Sequence, residues 1–349
     1  MIESARFPAR VAAIDAGSNA IRFVVADFPG PDRYDVVHKI RQPIRLGHRV
    51  FTHAELDEET MEWAVAAFRR FRREIDALGV DRFRAVATSA TREAANRGVF
   101  LDRIREESGI VLEPISGAEE ARLVHLAVRS RVDLSQGRWI LVDLGGGSVE
   151  VSLVDDTGIL WSESYRVGTV RLLETLAEAE GCHDSLRAWV GRQLQALTIP
   201  PPEGYPGPTA FAATGGNIEA IAELALSYVD PLNLALLPIN RLDAVIHLLT
   251  AMTVPETIHE LRLRPDRADV ILPAALVYRH FADIARADQI VVPSVGVKEG
   301  VLLDVAADPA RHATVHSPAR TGFSAPAARP TVPMPGSGSA GSPPTGPPG

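Results

Sequence analysis

One cysteine, Cys182, stands in a chain of 349 residues, which excludes an internal disulfide and a thiolate zinc cluster. No Gly-x-Ser-x-Gly elbow announces a serine nucleophile. No apolar run approaches the roughly 20 residues needed to span a bilayer. Nothing between Met1 and Arg10 resembles a signal peptide or an anchor, so a cytoplasmic protein with no membrane partner is expected. Positive charge is also short. At a net charge of −8 the chain lacks bulk affinity for nucleic acid, and a polyanionic ligand requires a local basic patch. Any catalysis therefore falls to carboxylates, a metal and backbone amides.

What the chain does have is alternation. Short apolar runs at Val11–Ile14, Phe23–Asp27, Arg84–Thr88, Trp139–Val142, Val149–Val154, Ala210–Ala213 and Ile290–Val292 read as strands. Between them lie helical patterns, the clearest from about Glu55 to Leu78 with Gly79 as its stop, and others after Ser89, Ser116, Gly215 and Pro265. Such mixing indicates an α/β protein, and the length suits about two domains, drawn here at residues 1–130 and 131–307. Residues 308–349 form a Pro/Gly/Ser/Ala-rich tail. Its last 33 residues hold 9 of the chain's 26 prolines and are expected to be disordered, either as a linker or as a partner-binding segment.

An internal repeat carries the functional signal. Ile14–Asp27 (IDAGSNAIRFVVAD) aligns without a gap on Val142–Asp155 (VDLGGGSVEVSLVD) at an offset of 128 residues. Asp15 meets Asp143, Gly17 meets Gly145, and Arg22 meets Glu150. In each copy a strand ends in aspartate, a small-residue turn follows, and a second strand returns. One such turn is compatible with a plain hairpin; two copies predict related halves facing each other across a cleft. Exposed N–H groups in the turns suit phosphate oxygens, and the strand-end aspartates suit a hydrated divalent cation.

Elsewhere two readings stand side by side. Ser116 and Glu119 have capping-box spacing, which occupies Glu119 and leaves Glu120 free as a candidate general base, or as one more solvated helix glutamate. Arg92 falls in the first turn of a helix and calls for an anion, supplied by Glu93 or by a bound phosphate. Thr214-Gly215-Gly216-Asn217 is a tight strand-to-helix turn or an anion site. The basic run Arg69, Arg70, Arg72 and Arg73 reads by default as a solvated face, with a polyanion track as the minority reading.

The segments Asp15-Ala16-Gly17-Ser18-Asn19, ATSATRE from Ala87, ISGAEEARL from Ile115, DLGGGSVE from Asp143 and RADVI from Arg267 together resemble the Ppx/GppA family of exopolyphosphatases and guanosine pentaphosphate phosphohydrolases. The resemblance covers about Val11 to Val305. It implies two ribonuclease-H-like domains of the actin, sugar kinase and Hsp70 superfamily with an interdomain cleft. It further implies Glu120 as base toward water, and Asp143 and Glu150 in catalysis and in binding Mg²⁺ (or Mn²⁺), with Asp15 sharing the metal. Ser18, Asn19, Arg92, Gly145, Gly146, Gly147 and Ser148 would bind phosphate, alongside Gly215 and Gly216. The expected substrate is polyphosphate, with a phosphorylated guanosine nucleotide as the alternative; a homodimer is left open. Ala20 stands where family members commonly carry Ser or Thr, and the chain passes into the Pro/Gly tail after about Ala307, where longer members continue into a helical region. A superfamily kinase or ATPase and a non-catalytic nucleotide sensor are the competing classes. The differing charges of Arg22 and Glu150 assign phosphate holding to the first turn and metal and water to the second.

Overall fold

The computed structural model describes residues 7–308, apart from 32, 179–182, 196, 198, 200–208, 227 and 230–234, together with 313–314. Cys182 and residues 315–349 lie outside the described residues; Ala313–Thr314, which the sequence reading put in the disordered tail, instead form a short strand.

Two sheets organise the fold. The first comprises β1 (Ala9–Ala16), β2 (Ile21–Gly30), β3 (Arg33–Gln42), β4 (Arg82–Ala87) and β5 (Leu112–Pro114). The second comprises β6 (Arg138–Leu144), β7 (Val149–Asp155), β8 (Gly158–Tyr165), β9 (Thr209–Thr214), β10 (Tyr228–Val229), β11 (Ala235–Pro238) and β12 (Gln289–Val292). A short β13 (Ala313–Thr314) joins β5 on the outer edge of β4. The orders β3-β2-β1-β4-β5 and β8-β7-β6-β9-β12 match strand for strand. In each, the first three strands are antiparallel and the last two run parallel to the first, which is the ribonuclease-H-like arrangement.

The repeat is therefore architectural. Asp15 pairs with Arg22 across one hairpin and lies beside Val86 of the parallel strand; Asp143 pairs with Glu150 and lies beside Thr214. The same offset thus reaches a third strand, beyond the two hairpin strands that sequence alone aligns.

Alternation along the strands builds the layers. Ala12, Ile14 and Ala16 face Phe68, Phe71, Ile75, Phe100 and Ile104 on the helices Glu58–Ala77 and Arg97–Ser108. Val11 and Ala13 face the opposite way, onto Leu123, Val124, Val301 and Leu302. Those residues belong to the helices Gly117–Arg129 and Val297–Ala307, which also meet Trp139, Leu141 and Ala212 of the second sheet. The two helices are thus a shared layer between the sheets. The boundary drawn at residue 131 assigns Val297–Ala307 to the second half, whereas its apolar face packs on β1 and on Gly117–Arg129. The outer face of the second sheet buries Ile140, Val142, Phe211 and Ala213 against Tyr278 and Phe281 of the helix Ile271–Ala285.

The expected long helix forms as Glu58–Ala77, its start fixed by Asp57 accepting from the Thr60 N–H at 2.8 Å. β3 and β8 escape the sequence reading. Both are outermost or near-outermost strands with polar residues on both faces, so they lack the apolar run that marks a buried strand. Among the described residues no helix is long and apolar enough to cross a membrane.

Candidate active site

Three elements converge on one buried acidic group. β6 ends in Asp143, β7 begins with Glu150, and the first turn of Gly117–Arg129 carries Glu120. Each offers a carboxylate oxygen within 4.8 Å of the others', and all three are buried. The hairpin register places Asp143 directly opposite Glu150. Ser116 caps the third element by accepting from the Glu119 N–H at 3.2 Å, which aims Glu120 inward. Glu119 does not close the capping box. Its carboxylate is drawn instead to Arg84 at 3.0 Å and Arg122 at 2.7 Å, both also paired with Asp304. Two guanidinium groups outcompete one backbone N–H. Glu119 is occupied as expected, by different partners.

Each carboxylate of the second hairpin is anchored by a hydroxyl. Thr214 Oγ1 donates to Asp143 Oδ1 at 2.5 Å, and Tyr278 in turn donates to the Thr214 carbonyl at 2.9 Å. Ser164 Oγ donates to Glu150 Oε1 at 2.8 Å. Glu150 Oε2 and Glu120 Oε2 are buried without a hydrogen-bond partner. An unpaired buried carboxylate oxygen is costly, so this donor set fits a divalent cation. Burial above all, reinforced by Asp143, pushes Glu150 up to about 7. Glu120 is raised well above the carboxylate range by burial and then by Glu150 and Asp143. Asp143 is raised by burial, against the pull of Thr214. Asp15 is also raised by burial, but turns to Arg22 at 3.2 Å. Among the described residues the metal-capable group is Glu120, Asp143 and Glu150; Asp15 lies beside it, within electrostatic reach of Asp143.

The two turns are built alike. Gly17 N–H donates to the Ala20 carbonyl at 3.2 Å and Gly145 N–H to that of Ser148 at 3.0 Å. They also meet: a Cβ on Gly146 would lie 2.9 Å from Ser18 Cβ, so only glycine permits the approach. The Gly145 and Gly146 carbonyls accept from Thr169, Val170 and Arg171 at the start of the helix Thr169–Glu178. No acceptor among the described residues takes the N–H groups of Gly146, Gly147 and Ser148.

A cleft of about 480 Å³ opens over these groups. Asp15, Ser18, Asn19, Glu120, Asp143, Gly145, Gly146, Gly215 and Gly216 line it; Glu150, Gly147, Ser148 and Arg92 do not. Asn19 is held by Arg45 at 2.9 Å and donates to the Asp266 carbonyl at 2.9 Å, spanning the two halves. Gly215 takes φ +101°, which turns β9 sharply into the helix Gly216–Leu224. Arg92 Nη1 donates to the Ile115 carbonyl at 2.6 Å and lies 3.7 Å from Glu120 Oε2. Glu93 does not compensate it, being bound to Arg166 and Arg171. Ala20 is fully buried and does not line the cleft.

Six cations also line it, Arg22, Lys39, Arg41, Arg264, Arg267 and Lys298, with Glu219 as the one further acid. Arg267 has no carboxylate partner at ion-pair distance among the described residues, and burial with neighbouring Arg264 lowers it to about 10. Sequence reasoning missed this wall. Its signal was present in β3, where Lys39 and Arg41 share a face and Arg41 pairs in register with Arg22. Arg69, Arg70 and Arg72 pair instead with Glu107, Glu74 and Asp76 on an exposed helix face, away from the cleft.

Paired ribonuclease-H-like halves, facing glycine turns and a carboxylate cluster beneath a basic wall define a phosphoryl-handling protein. The family model for the Ppx/GppA phosphatase family matches residues 24–308. Exopolyphosphatase 2 of Mycobacterium tuberculosis is 30% identical over 318 residues, covering 85% of this chain and 98% of its own. A crystal structure of an exopolyphosphatase from Cytophaga hutchinsonii superposes with a TM-score of 0.77 at 25% identity, over 85% of this chain and 97% of that one. The Ppx/GppA family member from Aquifex aeolicus gives 0.69 at 26% identity over the same shares. The chain belongs to the Ppx/GppA phosphatase family and is a phosphatase.

Proposed function

We propose that the chain removes the terminal phosphoryl group of inorganic polyphosphate by attack of water. Asp143 and Glu150, beside Glu120 and backed by Asp15, would hold Mg²⁺ or Mn²⁺, which when bound supplies positive charge against the oxygens of the transferring group. The protein's own groups do the rest. Glu120 Oε2, buried, without a hydrogen-bond donor and 3.7 Å from Arg92, takes the proton of the attacking water. The water oxygen bonds to the terminal phosphorus, and the bridging P–O bond breaks with its electrons on the shortened chain. The Gly146 N–H, at the cleft and without an acceptor among the described residues, receives charge developing on the equatorial oxygens. Arg22, Lys39, Arg41, Arg264, Arg267 and Lys298 hold the phosphates that remain.

The observation that carries this reading is the division of one cleft into an acidic floor and a wall of six cations. That pattern suits a substrate with one reacting phosphate and several spectators. The test is phosphate release from polyphosphate by the purified chain with Mg²⁺, beside guanosine pentaphosphate and ATP. Glu120→Gln is expected to lower kcat by about 10²–10⁴-fold. Wild-type turnover in that variant would remove Glu120 from the mechanism, and acceptor-dependent use of ATP with intact polyphosphate would make the chain a kinase.

A further inference from the structure

Arg171 is buried, yet it does not line the cleft, and the mechanism above does not use it. Its guanidinium makes two directed bonds to different halves of the molecule. Nε donates to the Gly147 carbonyl of the second turn at 2.7 Å, and Nη2 donates to Glu93 Oε1 of the first-half helix Ser89–Glu93 at 2.6 Å. The guanidinium carbon also lies 4.0 Å from the ring centre of Phe51. Gly147 is wedged against that ring and against Ser89: a Cβ there would fall 2.2 Å from Phe51 Cζ and 2.4 Å from Ser89 Oγ. Ser89 Oγ is in turn 3.0 Å from Ser18 Oγ of the first turn. A continuous path of contacts thus runs from Arg171 through Gly147 and Ser89 to Ser18.

We propose that Arg171 is a positioning residue, whose guanidinium ties the second glycine turn to Glu93 and so fixes the spacing of the two turns across the cleft. The inference rests on the turns being phosphate holders, as proposed above. A displacement of about 1 Å in such groups costs on the order of 10²-fold in rate. Lysine keeps the charge and three donors but offers them from one point, without the planar fork that aims Nε at the turn and Nη2 at Glu93, so retained charge alone will not restore the geometry.

The experiment compares Arg171→Lys, Arg171→Gln, Glu93→Gln and the Arg171→Gln/Glu93→Gln pair as full chains hydrolysing tripolyphosphate with Mg²⁺. Tripolyphosphate binding is measured separately by calorimetry in chelator. Both Arg171 variants are expected to lose about 10²-fold in kcat, with KM and the calorimetric Kd within about threefold of wild type. Glu93→Gln loses about tenfold, and the pair is no worse than Arg171→Gln, because both residues serve one link. Three results overturn the proposal: wild-type kcat in Arg171→Lys, additive losses in the pair, or a rise in KM at constant kcat, which would make Arg171 a phosphate ligand. If Arg171→Gln does not fold, Glu93→Gln decides by its own kcat. Absence of both binding and turnover in the wild type would remove the phosphate-holder reading itself, and this inference with it.

Discussion

Replacing Glu150 by glutamine should make the protein more stable and inactive at once, and the pH dependence of that gain distinguishes the cause. Glu150 titrates near 4.5 when unfolded and about 7 when folded, because burial and Asp143 oppose its charge. Between those values the folded state binds more protons than the unfolded one, so stability falls as pH rises through the window. At roughly 1.4 kcal/mol per pKa unit, ionised Glu150 costs roughly 3 kcal/mol at pH 7.5 and under about 1 kcal/mol at pH 5. Glutamine keeps the acceptor for Ser164 and carries no charge; it also relieves Glu120, for which Glu150 is the largest repulsive neighbour. In chelator at pH 7.5 Glu150→Gln should therefore melt about 5 °C higher than wild type, taking about 2 °C per kcal/mol for a chain of this size. The difference should shrink to a degree or two at pH 5. Added Mn²⁺ should narrow the gap by stabilising wild type preferentially. Differential scanning calorimetry reads all three arms. A variant that melts at or below wild type in chelator at pH 7.5, or gains equally at both pH values, refutes the account of Glu150 as a strained buried anion.

Ser164→Ala and Thr214→Val each remove one hydroxyl anchor from a carboxylate of the acidic cluster. Each should weaken Mn²⁺ binding about 10- to 100-fold by calorimetric titration while leaving circular dichroism unchanged, and unaltered affinity would deny the anchors a role. Arg264→Ala, on the cleft wall, should raise KM for polyphosphate several-fold at constant kcat, most visibly at low salt. Arg69→Ala, on the exposed helix face, should leave both constants unchanged, and the opposite pattern would relocate the polyanion track to that helix.

Seven strands and the main helix were legible because each is a periodic apolar run, and the duplicated hairpin was legible because both copies keep the spacing Asp–x–Gly. The neighbours of each piece were not. The helix Val297–Ala307 was not among the helical patterns read, since it is apolar on more than one side, and nothing in its sequence says that Val301, Leu302 and Val305 return across nearly the whole chain to β1. The basic wall is scattered in the same way: Lys39 and Arg41 come from an edge-like strand, Arg264 and Arg267 from the start of a distant helical segment, and Lys298 from the last helix. Glu119 illustrates a local rule overruled by tertiary charge. Its spacing from Ser116 satisfies half of the capping box, while the other half is lost to Arg84, which the fold brings in from β4. Capping-box spacing left Glu120 free and the resemblance then implied its role as base; the convergence that makes it chemically distinct depends on three elements meeting, which periodicity cannot express.

One side chain per hairpin separates the two halves. Where Asp15 faces Arg22 across the first pair of strands, the buried carboxylate meets a cation at 3.2 Å and its charge is locally offset. Where Asp143 faces Glu150, the same backbone positions two acids against each other, and Glu120 adds a third. The hydroxyls of Thr214 and Ser164 satisfy one oxygen of each hairpin carboxylate but supply no charge. Arg92, the cation at hand, is 3.7 Å from Glu120 and commits a donor to the Ile115 carbonyl. The second half thus carries an electrostatic deficit that the first half lacks, although both descend from one strand order and one turn. A bound cation is the direct way to cancel that deficit, and a phosphate chain bridging from the cation to Arg22, Arg41 and Arg267 would join the acidic floor to the basic wall. Under the proposed function, the asymmetry of a single paired position would set which end of the cleft reacts and which end holds.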